Sequence, residues 1–178
     1  MKTCLPWCLL SLLVIVPGCR SAWKRGQDQP AAWASELAAK ADWKPVTFLD
    51  MPELQSGAGS MDAAVASEFS TTDSGLKYRI LRNSDGKKPS TSDTVTVNYR
   101  GWLDQGKVFD SSYERGEPTT FPLRNVIAGW TEGMQLVGQG GMIELWVPSR
   151  LGYGEAGSPG SIPAHSDLHF VVELVDVE

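Results

Sequence analysis

Apolar residues recur at steps of three and four through Ile127, Trp130, Met134 and Val137, a single stripe that predicts a short buried helix over residues 125–137. Gly129 and Gly133 lie within it and weaken a helix by roughly 1 kcal/mol each relative to alanine, so packing has to hold it in place. A glycine beside the Trp130 indole also leaves room for something to approach the ring. Elsewhere the period is two. Residues 94–100 set Val95, Val97 and Tyr99 against Thr94, Thr96, Asn98 and Arg100, which predicts an amphipathic strand in a sheet with one covered face. Residues 76–81 and 142–147 read as further strands, and residues 107–110 return the chain after the turn at Asp104-Gln105-Gly106. In the last strand, residues 168–177, Leu168, Phe170, Val172 and Leu174 share one face; His169, Val171, Glu173 and Val175 share the other, where His169 is expected to be exposed. Residues 111–118 read as a polar excursion. Residues 149–166 form a long loop rich in glycine and proline, of the kind that carries function in compact domains. Antiparallel strands covered by one short helix make an α+β arrangement.

Upstream of residue 71 the pattern is different. Lys2 is followed by an apolar run over residues 5–16, shorter than the roughly 20 residues a membrane-spanning helix needs, so residues 1–18 read as a secretory signal peptide. The sequence Val16-Pro17-Gly18-Cys19 resembles a bacterial lipoprotein signal, which makes Cys19 the expected lipidation site and a lipid the expected membrane anchor. Residues 19–70 read as a tether and linker with short helices, one over residues 30–41 and another turn or two over residues 61–69, with the linker over residues 42–60 able to pack partly on the domain; residues 71–178 read as the folded domain. The exported chain is expected to reside in the cell envelope.

Composition removes several chemistries. Cys4, Cys8 and Cys19 are the only cysteines, so the domain after the leader has no disulfide, thiol nucleophile or thiolate metal site. A formal net charge of -5 without clustered Lys and Arg argues against nucleic acid as a partner. No nucleophile elbow, phosphate-binding loop or zinc-protease helix is present, and His165 with His169 makes a poor metal pair on a loop-to-strand stretch. What remains is an aromatic set spread over separate elements: Tyr99, Phe109, Phe121, Trp130, Tyr153 and Phe170. Asp110 directly follows Phe109, and a carboxylate there needs a partner, for which Arg115 is the candidate.

The motifs Val97-Asn98-Tyr99-Arg100-Gly101, Gly106-Lys107-Val108-Phe109-Asp110-Ser111-Ser112, Val126-Ile127-Ala128-Gly129-Trp130, Gly152-Tyr153-Gly154, Ile162-Pro163-Ala164-His165 and Leu168-His169-Phe170 closely resemble, in order and spacing, the FKBP-type peptidyl-prolyl cis-trans isomerases. The resemblance covers roughly residues 75–178. It implies an antiparallel, half-open β-sheet wrapped around one short α-helix, with the active site between them. It implies Trp130 as pocket floor and Tyr99, Phe109, Val126, Ile127 and Phe170 as walls, with Phe121 and Ile162 contacting substrate. Tyr153 would offer its hydroxyl, and Ile127 its backbone N–H, to substrate carbonyls; Asp110 would line the pocket, held by Arg115. Proline-containing polypeptides are the implied substrates and macrolides the implied inhibitors, with no cofactor and no metal. Two departures, Thr119 where many members carry a pocket aromatic and Ser161 where they carry a bulky aliphatic, bear on macrolide affinity and hydrophobic specificity more than on catalysis. The alternative use of such a pocket is non-catalytic, in a module or chaperone that binds proline-containing segments.

Overall fold

A computed structural model describes residues 44–178, which form one compact unit. The leader, Cys19 and the helix expected over residues 30–41 lie outside the described residues. Seven strands, β1 (Ser70–Thr71), β2 (Lys77–Arg82), β3 (Thr94–Leu103), β4 (Val108–Ser111), β5 (Thr119–Pro122), β6 (Met142–Val147) and β7 (Leu168–Val177), make one antiparallel sheet. Its order is β1-β2-β6-β7-β3-β4, and β5 pairs with the first half of β3 where β4 does not reach. Three short helices accompany it: α1 (Pro52–Gln55), α2 (Ser112–Arg115) and α3 (Ala128–Gly133). This is the expected α+β sheet around a short helix.

The central helix is shorter than its apolar stripe suggested. The stripe over residues 125–137 is divided into a 3-10 turn at Leu123–Asn125, α3, and a second 3-10 turn at Met134–Leu136, so Ile127 caps the helix instead of lying within it. The two glycines explain how α3 meets the sheet. A Cβ on Gly129 would lie 2.5 Å from Val147 Cγ1, and one on Gly133 would lie 2.8 Å from Leu145 Cδ1, so β6 touches the helix backbone itself. Inside this junction the main core gathers Leu76, Val97, Met134, Ile143, Leu145, Leu168 and Val172, among others.

Both faces of the central strands are covered, where one had been expected to be open. Residues 44–61, most of which were expected as a linker able to pack partly on the domain, run across the back of the sheet and belong to the compact unit. Phe48 and Leu54 are buried there with Leu81, Trp102, Met142 and Val171. The helical turn expected over residues 61–69 is not formed, only a non-helical turn near residue 63; the helical turn falls at α1, where Pro52 occupies the first turn and its missing N–H costs nothing. α2 likewise forms in the polar excursion after β4, with Ser111 Oγ accepting from Glu114 N–H at 3.3 Å and Gly116 ending it at φ +78°.

The segment 44–61 is held as a strap by polar groups of the sheet that would otherwise lack part of their hydrogen bonding. Phe48 N–H donates to Glu144 Oε1 at 2.6 Å, and the other Glu144 oxygen pairs with Arg79 at 2.5 Å. Arg100 donates to the carbonyls of Glu53 at 3.1 Å, Leu54, and Ser56 at 3.0 Å. Trp102 Nε1 donates to Val46 O at 2.8 Å. His169, expected on an exposed face, is 0% exposed; it stacks on Trp102 with ring centroids 5.8 Å apart, and its Nε2 lies 2.7 Å from Asp104 Oδ1. Glu173, also buried, accepts from Gly59 N–H at 2.8 Å, Tyr113 OH at 2.6 Å and Arg82 at 2.9 Å. Alternation could not reveal this coverage, because the covering segment comes from far along the chain.

Two outcomes are expected. Gly129→Ala forces α3 off Val147, and overpacking of this kind typically costs 1–3 kcal/mol, read as a lower urea midpoint with the slope unchanged. Burial pushes the Glu173 carboxyl up, but the hydrogen bonds from Tyr113, Gly59 and Arg82 outweigh it and hold it below its ordinary value of 4.5. Its stabilisation is therefore present above pH 4.5 and is lost as pH falls through the lower folded-state value. Acid unfolding curves of Glu173→Gln should lack that part of the decline; curves parallel to wild type would show that the three hydrogen bonds contribute nothing.

Candidate active site

Five segments bring aromatic rings to one place in front of α3. Tyr99 comes from β3, Phe109 from β4, Phe121 from β5, Trp130 from α3 and Phe170 from β7. Trp130 is 4% exposed and stands at the centre of the group. Its ring centroid lies 5.2 Å from Tyr99, 5.7 Å from Phe121 and 5.3 Å from Phe170, all close to perpendicular. Phe109 meets Phe170 edge-on at 5.5 Å. Edge-to-face pairs contribute about 0.5–1.5 kcal/mol each beyond area burial, so the cluster holds its own shape.

Local backbone chemistry aims these rings. β3 and β4 pair Gly101 with Asp110 and then Trp102 with Val108, which leaves Phe109 as the extra residue of a bulge and turns it toward the helix side. Gly101 makes room for it: a Cβ there would sit 2.6 Å from the Phe109 ring and 2.8 Å from Phe170. Ile127 accepts through its carbonyl from Trp130 N–H at 2.9 Å and Thr131 N–H at 3.1 Å; its own N–H precedes the first helical turn and is not used by the helix ladder. Tyr153 follows the 3-10 turn at Ser149–Leu151 and is 44% exposed.

These groups enclose a cavity of about 420 Å³, lined by Tyr99, Phe109, Asp110, Phe121, Asn125, Val126, Ile127, Trp130, Tyr153 and Phe170. Nine of these ten were expected from the sequence. Asn125, at the end of the 3-10 turn before Val126, was not, and its signal was only its position beside the motif. Two expected residues lie elsewhere. Arg115 is outside the lining, exposed and bonded to Asp110 and Tyr99, and Ile162, 7% exposed, packs in the core and lines a separate cavity beside the late loop.

The one carboxylate in the cavity is tied down. Asp110 Oδ2 accepts from the Tyr99 hydroxyl and Oδ1 accepts from Arg115 Nη1 at 2.5 Å. Arg115 Nη2 donates to Tyr99 OH at 3.0 Å and to Thr119 Oγ1 at 3.1 Å, so the threonine that departs from the resemblance anchors the guanidinium to β5. Burial, and then the hydrogen bond to Asp110, push the Tyr99 hydroxyl up to about 12, so it remains a neutral donor at physiological pH. The cavity is thus largely apolar, with its carboxylate paired; Tyr153, the Asn125 amide and the Ile127 backbone are its other polar groups, and the Trp130 Nε1–H is buried without a hydrogen-bond partner.

Comparisons with known proteins agree with this geometry. The family model described as FKBP-type peptidyl-prolyl cis-trans isomerase matches residues 85–175. The FKBP-type peptidyl-prolyl cis-trans isomerase FkpA of Escherichia coli K12 is 52% identical over 108 residues, 61% of this chain and 40% of that protein. A probable FKBP-type peptidyl-prolyl cis-trans isomerase FkpA of Neisseria meningitidis is 49% identical over 154 residues, 86% of this chain and 57% of that protein. The crystal structure of FkpA from Escherichia coli superposes with a TM-score of 0.61 at 49% identity, covering 64% of this chain and 53% of that one. The chain spans about half the length of the relatives it matches. By its family match, its fold and its aromatic cavity, this chain belongs to the FKBP-type peptidyl-prolyl cis-trans isomerase family.

Proposed function

We propose that this chain accelerates cis-trans isomerisation of X-Pro bonds in exported polypeptides, with the proline ring seated on the Trp130 indole. The observation that carries the reading is the cavity's makeup: six aromatic side chains, two aliphatic ones, one amide and one carboxylate already paired, with no serine, cysteine, histidine or lysine in its lining. A site so composed offers no nucleophile and no free base, and this reaction needs neither.

An X-Pro bond rotates over a barrier of roughly 18–20 kcal/mol that arises from amide resonance, and uncatalysed exchange takes tens of seconds or more. Twisting the amide removes that resonance and part of the carbonyl's charge separation. Water favours the planar, more polar ground state. An apolar cavity gives that state less solvation, while Trp130, Tyr99 and Phe170 grip the proline ring, so the twisted amide gains relative to the planar one. Tyr153 OH and Ile127 N–H orient the flanking carbonyls. Asp110, held by Tyr99 and Arg115, keeps its charge directed at its partners and away from the reacting carbonyl. Macrolide inhibitors would compete for the same cavity, with affinity reduced on the side where Thr119 replaces an aromatic. The apolar leader and Cys19 support export and a lipid anchor in the cell envelope.

A proline-limited peptide assay tests the activity. Turnover above buffer is expected, with Tyr153→Phe retaining most of it because that residue is 44% exposed, and Trp130→Ala losing it together with about 3–5 kcal/mol of stability. Peptide binding that quenches tryptophan fluorescence without any acceleration would instead support the binding-module alternative. Mass spectrometry of the mature protein should show an acylated N-terminal Cys19; an unmodified chain beginning elsewhere excludes the anchor.

A further inference from the structure

A second cavity of about 350 Å³ lies beside the late loop, lined by Lys107, Ala156, Pro159, Ile162 and Pro163, among others. It shares both of its supporting segments with the aromatic cavity. The β3–β4 return contributes Lys107 to one and Phe109 to the other, and the late loop contributes residues 156–163 to one and Tyr153 to the other. Leu103 N–H donates to Lys107 O at 2.9 Å, and Leu103, Phe109 and Ile162 belong to one apolar cluster, so the two cavities are neighbours on the same side of the sheet.

The loop wall is built in advance. Ser158 N–H donates to Ile162 O at 2.8 Å and Ile162 N–H returns to Ser158 O at 2.9 Å, while Gly157 N–H donates to Tyr153 O at 3.2 Å and His165 N–H to Gly154 O at 2.9 Å. Gly157, at φ +63°, holds a place where a Cβ would lie 2.4 Å from Ile162 O. A preformed wall lowers the ordering cost of binding an extended segment across it.

We propose that this cavity is a subsite for the polypeptide flanking the substrate proline, and that Lys107 selects a carboxylate side chain two or three residues away from that proline. The proposal rests on the isomerase reading above. Lys107 is the only lysine or arginine lining either cavity, is exposed, and forms no ion pair among the described residues. It lies two residues from Phe109, roughly 7 Å along an extended chain, so a segment leaving the proline pocket in that direction reaches it in two residues. Ile162 and the two prolines supply the apolar base. Ile162 thereby contacts substrate in the flanking subsite instead of the proline pocket.

The full chain is assayed with peptides carrying Glu or Lys two residues before the proline, and a second pair carrying them two residues after it. Glu is expected to exceed Lys in kcat/KM on one side by roughly 2- to 10-fold, the range for replacing a partly exposed ion pair by repulsion. The preference should shrink in about 0.5 M NaCl, invert in Lys107→Glu and grow in Ser161→Lys, which adds a second cation to the same lining. No Glu preference on either side, or a Glu-to-Lys ratio unchanged by Lys107→Glu, overturns the subsite. The same ratios are read as Kd from peptide titrations. If the wild-type chain binds without accelerating exchange, the isomerase reading falls while the Kd ratios still decide the role of Lys107.

Discussion

The direct contact between the backbone of α3 and the side chains of β6 is the constraint on which the rest of this structure depends. Protein interiors are packed as densely as organic crystals, so a helix normally stands off a sheet by a layer of side chains. Gly129 and Gly133 remove that layer against Val147 and Leu145. The consequence reaches Trp130, which is set deep enough to be enclosed by Tyr99, Phe121 and Phe170 and still presents a surface to the cavity. Core filler and pocket floor are one residue here, because the same close approach supplies both roles.

The back of the sheet is organised by charge. Arg79, Arg100, Glu144 and Glu173, together with the His169 imidazole, are all buried, and a buried charged or polar group without partners is destabilising. Each finds partners, several of them backbone groups of the strap at residues 44–61, so strap and sheet need each other: without Phe48 N–H and the carbonyls of α1, Glu144 and Arg100 would lack part of their hydrogen bonding. β7 connects this layer to the site, since Phe170 walls the cavity on one face while His169 and Val171 pack on the other. The aromatic cavity is therefore braced from behind by a polar layer that lies outside its lining.

The two faces also divide the electrostatics. Ionised groups are concentrated behind the sheet and at the rim, and the one carboxylate that faces the cavity is neutralised by Arg115 and hydrogen-bonded by Tyr99. Under the proposed function, an amide entering the cavity would meet rings and a few donors in place of water or a competing charge. Low polarity and preset shape, more than reactive groups, are what an amide rotation can use.

The strands and the central helix were legible in the sequence because each leaves a local signature, a period of two or of nearly four, whereas nine of the ten cavity residues came from the resemblance of the ordered motifs to the family. Those signatures follow from which side of a strand or helix a residue occupies, which neighbours in sequence determine. The burial of His169, the partners that hold the strap, the placement of Ile162 beside a second cavity and the anchoring of Arg115 by Thr119 were not legible. A period records that a strand has two faces but not what covers each. The cover arrived from 96 residues away in the contact of Phe48 with Glu144, and only chain folding brings such groups together.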